Sequence, residues 1–494
     1  MTTTPLSDAS ETSADSLMVA SQAPTAPMAQ DKVPPPAKAA YALGGTTDIF
    51  GHWLYNSLAN PVFNVFLGLS PTQVSLALGT TRFVDAFTDP LFGWISDNTR
   101  SKWGRRRPFI LLGSVVAGLA LPCLFMARPS WSNSQIFWFM LISASLYAPI
   151  ISAYNMPYQS LGAELTPDYN ERTSIMSWKA VIQKISGMML GGALWLATRP
   201  FFNDPATGKP DVARGAVWAA AIAGGIMIIS GLCNFIFVRE RYYEKAQTQE
   251  KVGFLSMFGD TFRCRPYLIL LGTALVYAIP TGLVGTLGFY ASTYYVFKGD
   301  MAAASEIGFW SGVAYAVFGI AGVPVAAGLS KKLGKRKALT FTLAAGLVAF
   351  GSSWFLYTPE NPWLSVLCNG LNGFSATGLW VVLPSMCADV VDFDEVQSKK
   401  RREGAYSSTF SWVLKVGMSV SMLIVGPLLD DVTGFDAKLG GNQSPETITW
   451  IRALFAGIPV VALVIAFFLV QLYPLTRERM KEIRATLEAR RGTV

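Results

Sequence analysis

Apolar stretches of about 20 residues, the length that a hydrocarbon core of ~30 Å asks of a helix, recur along the chain. They fall near 41-68, 73-97, 108-127, 134-163, 174-198 and 214-238, and again near 266-295, 303-329, 338-356, 361-389, 403-428 and 447-472. The pattern predicts an all-α membrane protein of twelve transmembrane helices in two sets of six. Gly and Pro, common in membrane helices, blur the edges of the spans more than their number. Residues 1-38, rich in Ser, Thr, Ala and Pro, lack a basic start followed by an apolar core. They read as a disordered cytoplasmic tail rather than a signal peptide. The remaining divisions are a first bundle over 39-238, a charged linker over 239-265, a second bundle over 266-472 and a second cytoplasmic tail over 473-494.

Composition agrees: of 494 residues 51% are apolar and 15% charged, with one histidine. Loops after even-numbered spans hold 21 Lys and Arg against 6 on the other side, which puts both termini in the cytoplasm; the membrane expected is the cell (inner) membrane. The net charge of +8 follows from that topology and from an anionic leaflet, and gives no reason to invoke nucleic acid. The five cysteines have no paired spacing and read as small buried residues. No phosphate loop and no nucleophile beside a base is visible, so the chain is not read as an enzyme. No cofactor is implied, and any energy source is an ion gradient.

Two segment pairs suggest an internal repeat. "FGWISDNTRSKWGRRRP" closes the second span and "AAGLSKKLGKRKA" the eighth, with Gly104 and Gly334 230 residues apart. "NMPYQSLGAELTPDYNER" and "VLPSMCADVVDFDEVQ" close the fourth and tenth, with Pro157 and Pro384 227 apart. Similar spacings from independent pairs predict parallel six-helix repeats, the plan of the major facilitator superfamily, in which substrate binds at the midplane and access alternates.

The second span contains "RFVDAFTDPLFGW". Arg82, Asp85 and Asp89 share one helix face a turn apart, and each charged Asp near a helix centre costs roughly 2.5-3.5 kcal/mol on insertion scales. Three outcomes are open: one acid takes a proton, a cation sits between the two, or Arg82 neutralises one. Thr88 adds a hydroxyl beside Asp89, as hard cations require several oxygens, and Ser152 in the fourth span adds another. The plainer alternative is a fixed Arg82-Asp85 pair with Asp89 solvated. Lys415, the one basic residue in the eleventh span, must pair, lose its proton or line a wet cavity.

The segments "DAFTDPLFGWISDNTRSKWGRRRP", "NMPYQSLGAELTPDYNERT" and "ADVVDFDEVQSKKRREGAYSSTFSWVLKVG" resemble the signature regions of the glycoside-pentoside-hexuronide:cation symporters, the family of the melibiose carrier. The GRRRP run is also similar to sucrose-proton symporters. The resemblance covers nearly everything beyond residue 38. It implies cation-coupled symport of a sugar or glycoside by a monomer, with a proton or Na+ as coupling ion. Asp85, Thr88, Asp89 and Ser152 are then the cation site. Asp48 is a sugar-binding acid, while Asn155 stands where the melibiose carrier has an acid and Gln159 where it has an aromatic, so the pocket differs. Trp380 occupies the sugar-site tryptophan position, nine residues before Asp389. Lys415 falls on a functional lysine and Lys179 close to a basic position of the family, so Arg82, Lys415 and Lys179 form the coupling set.

Tyr154 and Trp178 are offered as aromatic faces for the sugar ring, with packing or an interfacial belt as the alternative. His52, a turn after Asp48, is a proton shuttle or, more plainly, a hydrogen-bonded helix residue. Arg105, Arg106 and Arg107 sit at helix ends with Glu164, Asp168, Asp389, Asp392 and Asp394 as partners, and are read as a cytoplasmic gate broken on inward opening. Two other classes remain: a transporter of a lysolipid or other amphiphile, and a non-transporting sensor. The sensor has no use for Asp85, Asp89 and Lys415.

Overall fold

Helices begin where the chain supplies a cap. The Ser70 hydroxyl accepts the Gln73 N–H at 3.2 Å while the Gln73 side chain accepts the Ser70 N–H at 3.1 Å, satisfying amides that the helix start leaves free. Ser132 and Gln135 repeat this box, and Asp211, Asp300 and Ser444 cap with one side-chain bond each.

The computed structural model describes residues 32–166, 169–205, 208, 210–240, 261–399 and 402–491. Helix α1 (Pro35–Ile49) is prolonged by π-helical Phe50–Leu54, helical Tyr55–Ala59 and π-helical Asn60–Phe66. It is followed by α2 (Pro71–Asn98), α3 (Arg107–Cys123), α4 (Asn133–Glu164), α5 (Tyr169–Ala197) and α6 (Val212–Phe237). The second set is α7 (Arg265–Tyr290, prolonged through Ala291–Val296), α8 (Met301–Leu333), α9 (Lys335–Leu356), α10 (Leu364–Ser398), α11 (Glu403–Pro427, prolonged through Leu428–Val432) and α12 (Pro445–Gln471). A last helix, α13, covers Arg477–Arg491. Among the described residues, nine helices are long and apolar enough to cross a membrane. α3 is apolar but has 17 residues, and α2 interrupts its apolar run with Arg82, Asp85 and Asp89.

In the first set α1 packs on α5 and α6, α2 on α4, and α3 on α4 and α6; in the second α7 packs on α11 and α12, α8 on α10, and α9 on α10 and α12. Between the sets α2 meets α11 and α5 meets α8. One buried apolar core lies within residues 33–238 and two more within 267–487. Lipid tails give helices no apolar incentive to associate, so close approach is carried by small residues. A Cβ on Gly224 of α6 would lie 2.1 Å from the Gly118 carbonyl oxygen of α3.

The loops at Gly104 and Gly334 share one end of the bundle, here the basic face. Both glycines have positive φ, +100° and +88°, a region other residues enter only with strain. After Gly104, the Glu240 carboxylate accepts the N–H groups of Arg105, Arg106 and Arg107 at 3.1, 2.8 and 3.1 Å. It holds the end of α6 on the positive start of α3.

Several spans exceed their apolar stretch. α10 runs on to Ser398 through Asp389, Asp392 and Asp394, because hydropathy marks only the lipid-crossing part of a helix that continues into polar surroundings. The 473-494 stretch contains α13, which packs against α10 and buries Met480, Ile483 and Leu487. Residues 1–31 of the expected tail and 241–260 of the expected linker lie outside the described residues; the helix itself starts at Pro35.

At Gly104 a Cβ would meet Glu240 Oε1 at 2.6 Å. Gly104→Ala should therefore lose about 1–3 kcal/mol, read as a lower melting temperature in detergent. Gly225→Ala, whose Cβ meets nothing within 4 Å, should melt as the parent does.

Candidate functional site

α2, α4 and α11 bring the charged groups together. Asp85 and Asp89 are 6% and 5% exposed, so their charges face the bundle and not lipid. Arg82 donates to Asp85 Oδ2 at 3.2 Å and to the His52 carbonyl at 3.0 Å, and its guanidinium stands 5.2 Å over the Trp53 ring. The Lys415 ammonium pairs with Asp89 Oδ2, so a cation of α11 reaches across to an anion of α2. Thr88 and Ser152 hydroxyls are 2.9 Å apart and link α2 to α4. The outer oxygens, Asp85 Oδ1 and Asp89 Oδ1, are buried without a hydrogen-bond partner. Such oxygens are costly to bury and are free to accept a proton or a hard cation.

A second polar string runs from α1 to α5. Asp48 Oδ1 is 3.4 Å from His52 Nδ1, and Gln183 donates to Asp48 Oδ2 at 2.9 Å. Asp48 and Asp85 are thus joined through His52 and Arg82, around the π-helical turn Phe50–Leu54. Such turns recur at functional sites. Lys179 stands 4.8 Å over the Tyr158 ring. Asn155 is buried, and its Oδ1 accepts from Gln159 at 3.0 Å. Tyr154 is fully buried, stacked on Tyr158 and bonded to the Gly44 carbonyl at 2.8 Å; Trp178 is half-exposed.

Between the two sets lies a cavity of about 930 Å³. Its wall includes Trp53 and Gln183 from the first set, with Tyr277, Tyr315 and Trp380 from the second. Of the expected substrate residues Trp380 lines it directly and Asp48 touches it through Gln183; Asn155, Tyr154, Gln159 and Trp178 are not on its wall. Most of the wall escaped the sequence reading, and among the residues it missed Gln183 and Lys184 are polar. The available signal was polarity within the apolar fifth span, on the stripe shared with Gly187 and Gly191.

At the basic face Arg106 donates to Glu164 at 2.7 and 3.0 Å and to Asp97 at 2.8 Å, Arg105 also pairs with Glu164, and Arg107 donates to the Phe235 carbonyl. On the other set Lys335 and Arg484 pair with buried Asp389 at 2.7 and 3.2 Å; Asp392, a turn further on, is half-buried. Each of these pairs joins helices of one set. At the opposite face the sets meet directly: Thr72 N–H donates to Asp430 at 2.8 Å, the Tyr290 hydroxyl to Asn64 at 2.7 Å, and the Thr198 and Ser305 hydroxyls lie 2.8 Å apart. Asp168 lies outside the described residues.

Two helix sets around a midplane cavity, with buried acids beside it, define a secondary transporter. Residues 39–477 match the family model described as MFS/sugar transport protein. The putative glycoside/cation symporter YagG of Escherichia coli (strain K12) is 25% identical over 456 residues, covering 91% of this chain and 94% of its own. The sodium-dependent lysophosphatidylcholine symporter 1 of Gallus gallus is 23% identical over 462 residues, covering 85% and 83%. A solved bacterial homolog of the human lysosomal transporter Spinster shares the fold, with a TM-score of 0.63 at 14% identity over 92% of this chain and 97% of that one. The chain belongs to the sugar-transport family of the major facilitator superfamily, among its glycoside-pentoside-hexuronide:cation symporters, and is a transporter, not an enzyme.

Removing Lys415 leaves the buried Asp89 carboxylate uncompensated, although the lysine itself is half-exposed. Lys415→Ala should lower the melting temperature, and adding Asp89→Asn should recover much of the loss, with a coupling on the order of 1–3 kcal/mol. Additive effects in that double-mutant cycle would show that the pair does not interact.

Proposed function

We propose that this protein is a secondary active symporter that couples a proton or sodium ion to uptake of a sugar or glycoside by alternating access. The observation that carries the reading is the buried carboxylate pair with one free oxygen on each acid, bridged to the other helix set by Lys415. A coupling cation entering between Asp85 and Asp89, with Thr88 and Ser152 hydroxyls beside them, competes with Lys415 for Asp89. Its arrival frees α11 from α2. Its departure restores the ion pair, and Arg82 balances Asp85 meanwhile, so an uncompensated charge is never left in the bundle. The string Arg82, His52, Asp48 and Gln183 carries that change to the cavity, where the sugar is held by Asp48 and Gln183 with its ring against Trp380. Asn155, Gln159 and Lys179 border this region and tune it.

The architecture proposed with this function is twelve spans in two parallel repeats. Its support is the recurrence, six helices later, of the pairings α1–α5, α1–α6, α2–α4, α3–α4 and α3–α6. The matched positive-φ glycines, each followed by a basic side chain on a buried or half-buried acid, add to it. The basic face is cytoplasmic, both termini lie there, and the membrane is the inner one. Arg105, Arg106 and Asp389 staple each half so that it moves as one body, and the direct contacts between the sets at the opposite face correspond to an inward-facing state. The lysolipid reading draws on the name of the Gallus gallus relative and on the cavity's mostly apolar lining. Polar and aromatic groups along the wall favour the sugar.

Asp85→Asn should abolish accumulation of labelled sugar in proteoliposomes under an imposed proton or sodium gradient, while leaving membrane insertion and reconstitution unchanged. Concentrative uptake by this mutant at the parent level would refute the mechanism. Comparing the two gradients on the parent protein identifies the ion.

A further inference from the structure

The cavity wall carries one charge. Of all its lining residues only Lys184, on α5, is charged. Its ammonium lies 3.4 Å from Thr377 Oγ1 and 5.6 Å from the centre of the Tyr315 ring. Among the described residues no carboxylate pairs with it. Arg82 and Lys415, by contrast, each rest on a carboxylate. An ammonium held by a hydroxyl and a ring face alone, deep between helices, lacks the partner that intramembrane cations otherwise take.

A second observation comes from the same wall. Asn372 Oδ1 and Thr293 Oγ1 have no hydrogen-bond partner although the residues are 7% and 1% exposed, and both line the cavity. They add polar side chains to the wall on the side of the second set. Trp380 and Tyr315 offer ring faces nearby. The wall thus offers one positive charge, polar side chains and ring faces.

We infer that the transported glycoside is an anion and that Lys184 binds its charged group. The inference rests on the sugar-symport reading and extends it to substrate class: a neutral sugar would leave the ammonium uncompensated, whereas a carboxylate makes a charge-assisted hydrogen bond with it. A lysine supplies a point charge on a flexible stem, suited to a group whose position shifts as the halves rock. The same ammonium would accept the phosphate of a lysophospholipid, so the experiment separates the two sources.

The test uses the full-length protein in proteoliposomes and counterflow exchange, which needs no driving gradient. The probes are 4-nitrophenyl β-D-glucuronide, 4-nitrophenyl β-D-glucoside, which differs only in having a hydroxymethyl group for the carboxylate, and lysophosphatidylcholine. The parent should half-saturate with the glucuronide at a concentration at least about tenfold below that for the glucoside. Lys184→Met should raise the glucuronide value about tenfold or more and leave the glucoside value within about twofold, and Lys184→Arg should keep the preference. Equal handling of the two glycosides by the parent, a measurement that depends on no variant, overturns the inference. So does a preference unchanged in Lys184→Met. Exchange that keeps the preference without accumulation under either gradient would sink the coupling mechanism while upholding Lys184 as the anchor. Lysophosphatidylcholine exchange without glycoside exchange would end the sugar reading, and if it survives Lys184→Met it ends the anchor too.

Discussion

Two carboxylates that cannot both be charged and unpaired inside a membrane are the constraint on which the rest of the molecule hangs. Asp85 and Asp89 are almost wholly buried, and the penalty for an isolated charge at that depth exceeds what one helix can absorb. The protein meets it with Arg82 on the same helix and Lys415 from the other set. The first compensation is local and permanent. The second depends on where α11 lies relative to α2, so the electrostatic state of the pair and the relative position of the halves are one variable. Coupling of an ion to a conformational change needs that identity.

A change of this kind is transmitted only if each half is stiff. At the basic face Glu164 gathers Arg105 and Arg106, Glu240 closes on the start of α3, and Asp389 gathers Lys335 and Arg484. These contacts link helices of one set, and tight helix crossings such as Gly118 against Gly224 do the same in mid-bundle. Between the sets there are hydroxyl pairs, single hydrogen bonds and one ion pair, together with a close crossing of Gly426 on Pro71.

The cavity adds an asymmetry. On the first set Asp48 meets the His52 ring, and Arg82 joins the His52 carbonyl to Asp85, whereas the cavity-lining atoms without a partner, on Asn372 and Thr293, belong to the second. Lys184 stands at the junction, bonded across to Thr377.

By itself the sequence determined the membrane class, the helical spans and the positions in α2 and α11 that carry charge, because apolar length and an ionisable residue within it are local properties. Motif spacing set Gly104 against Gly334, and both glycines have positive φ in the structure. Which charge meets which was a matter for tertiary structure. Lys415 and Asp89 are 326 positions apart, and only the crossing of α11 over α2 joins them. The same holds for Gln183 on Asp48, for the solitary Lys184 and for α13 beneath α10. Tyr154 illustrates the reverse: its residue type suits a sugar ring, yet packing against Tyr158 and Gly44 decides its surroundings. Helical periodicity says which residues share a face, but the angle at which that face meets its neighbours is set by packing across the bundle, and the site exists only there.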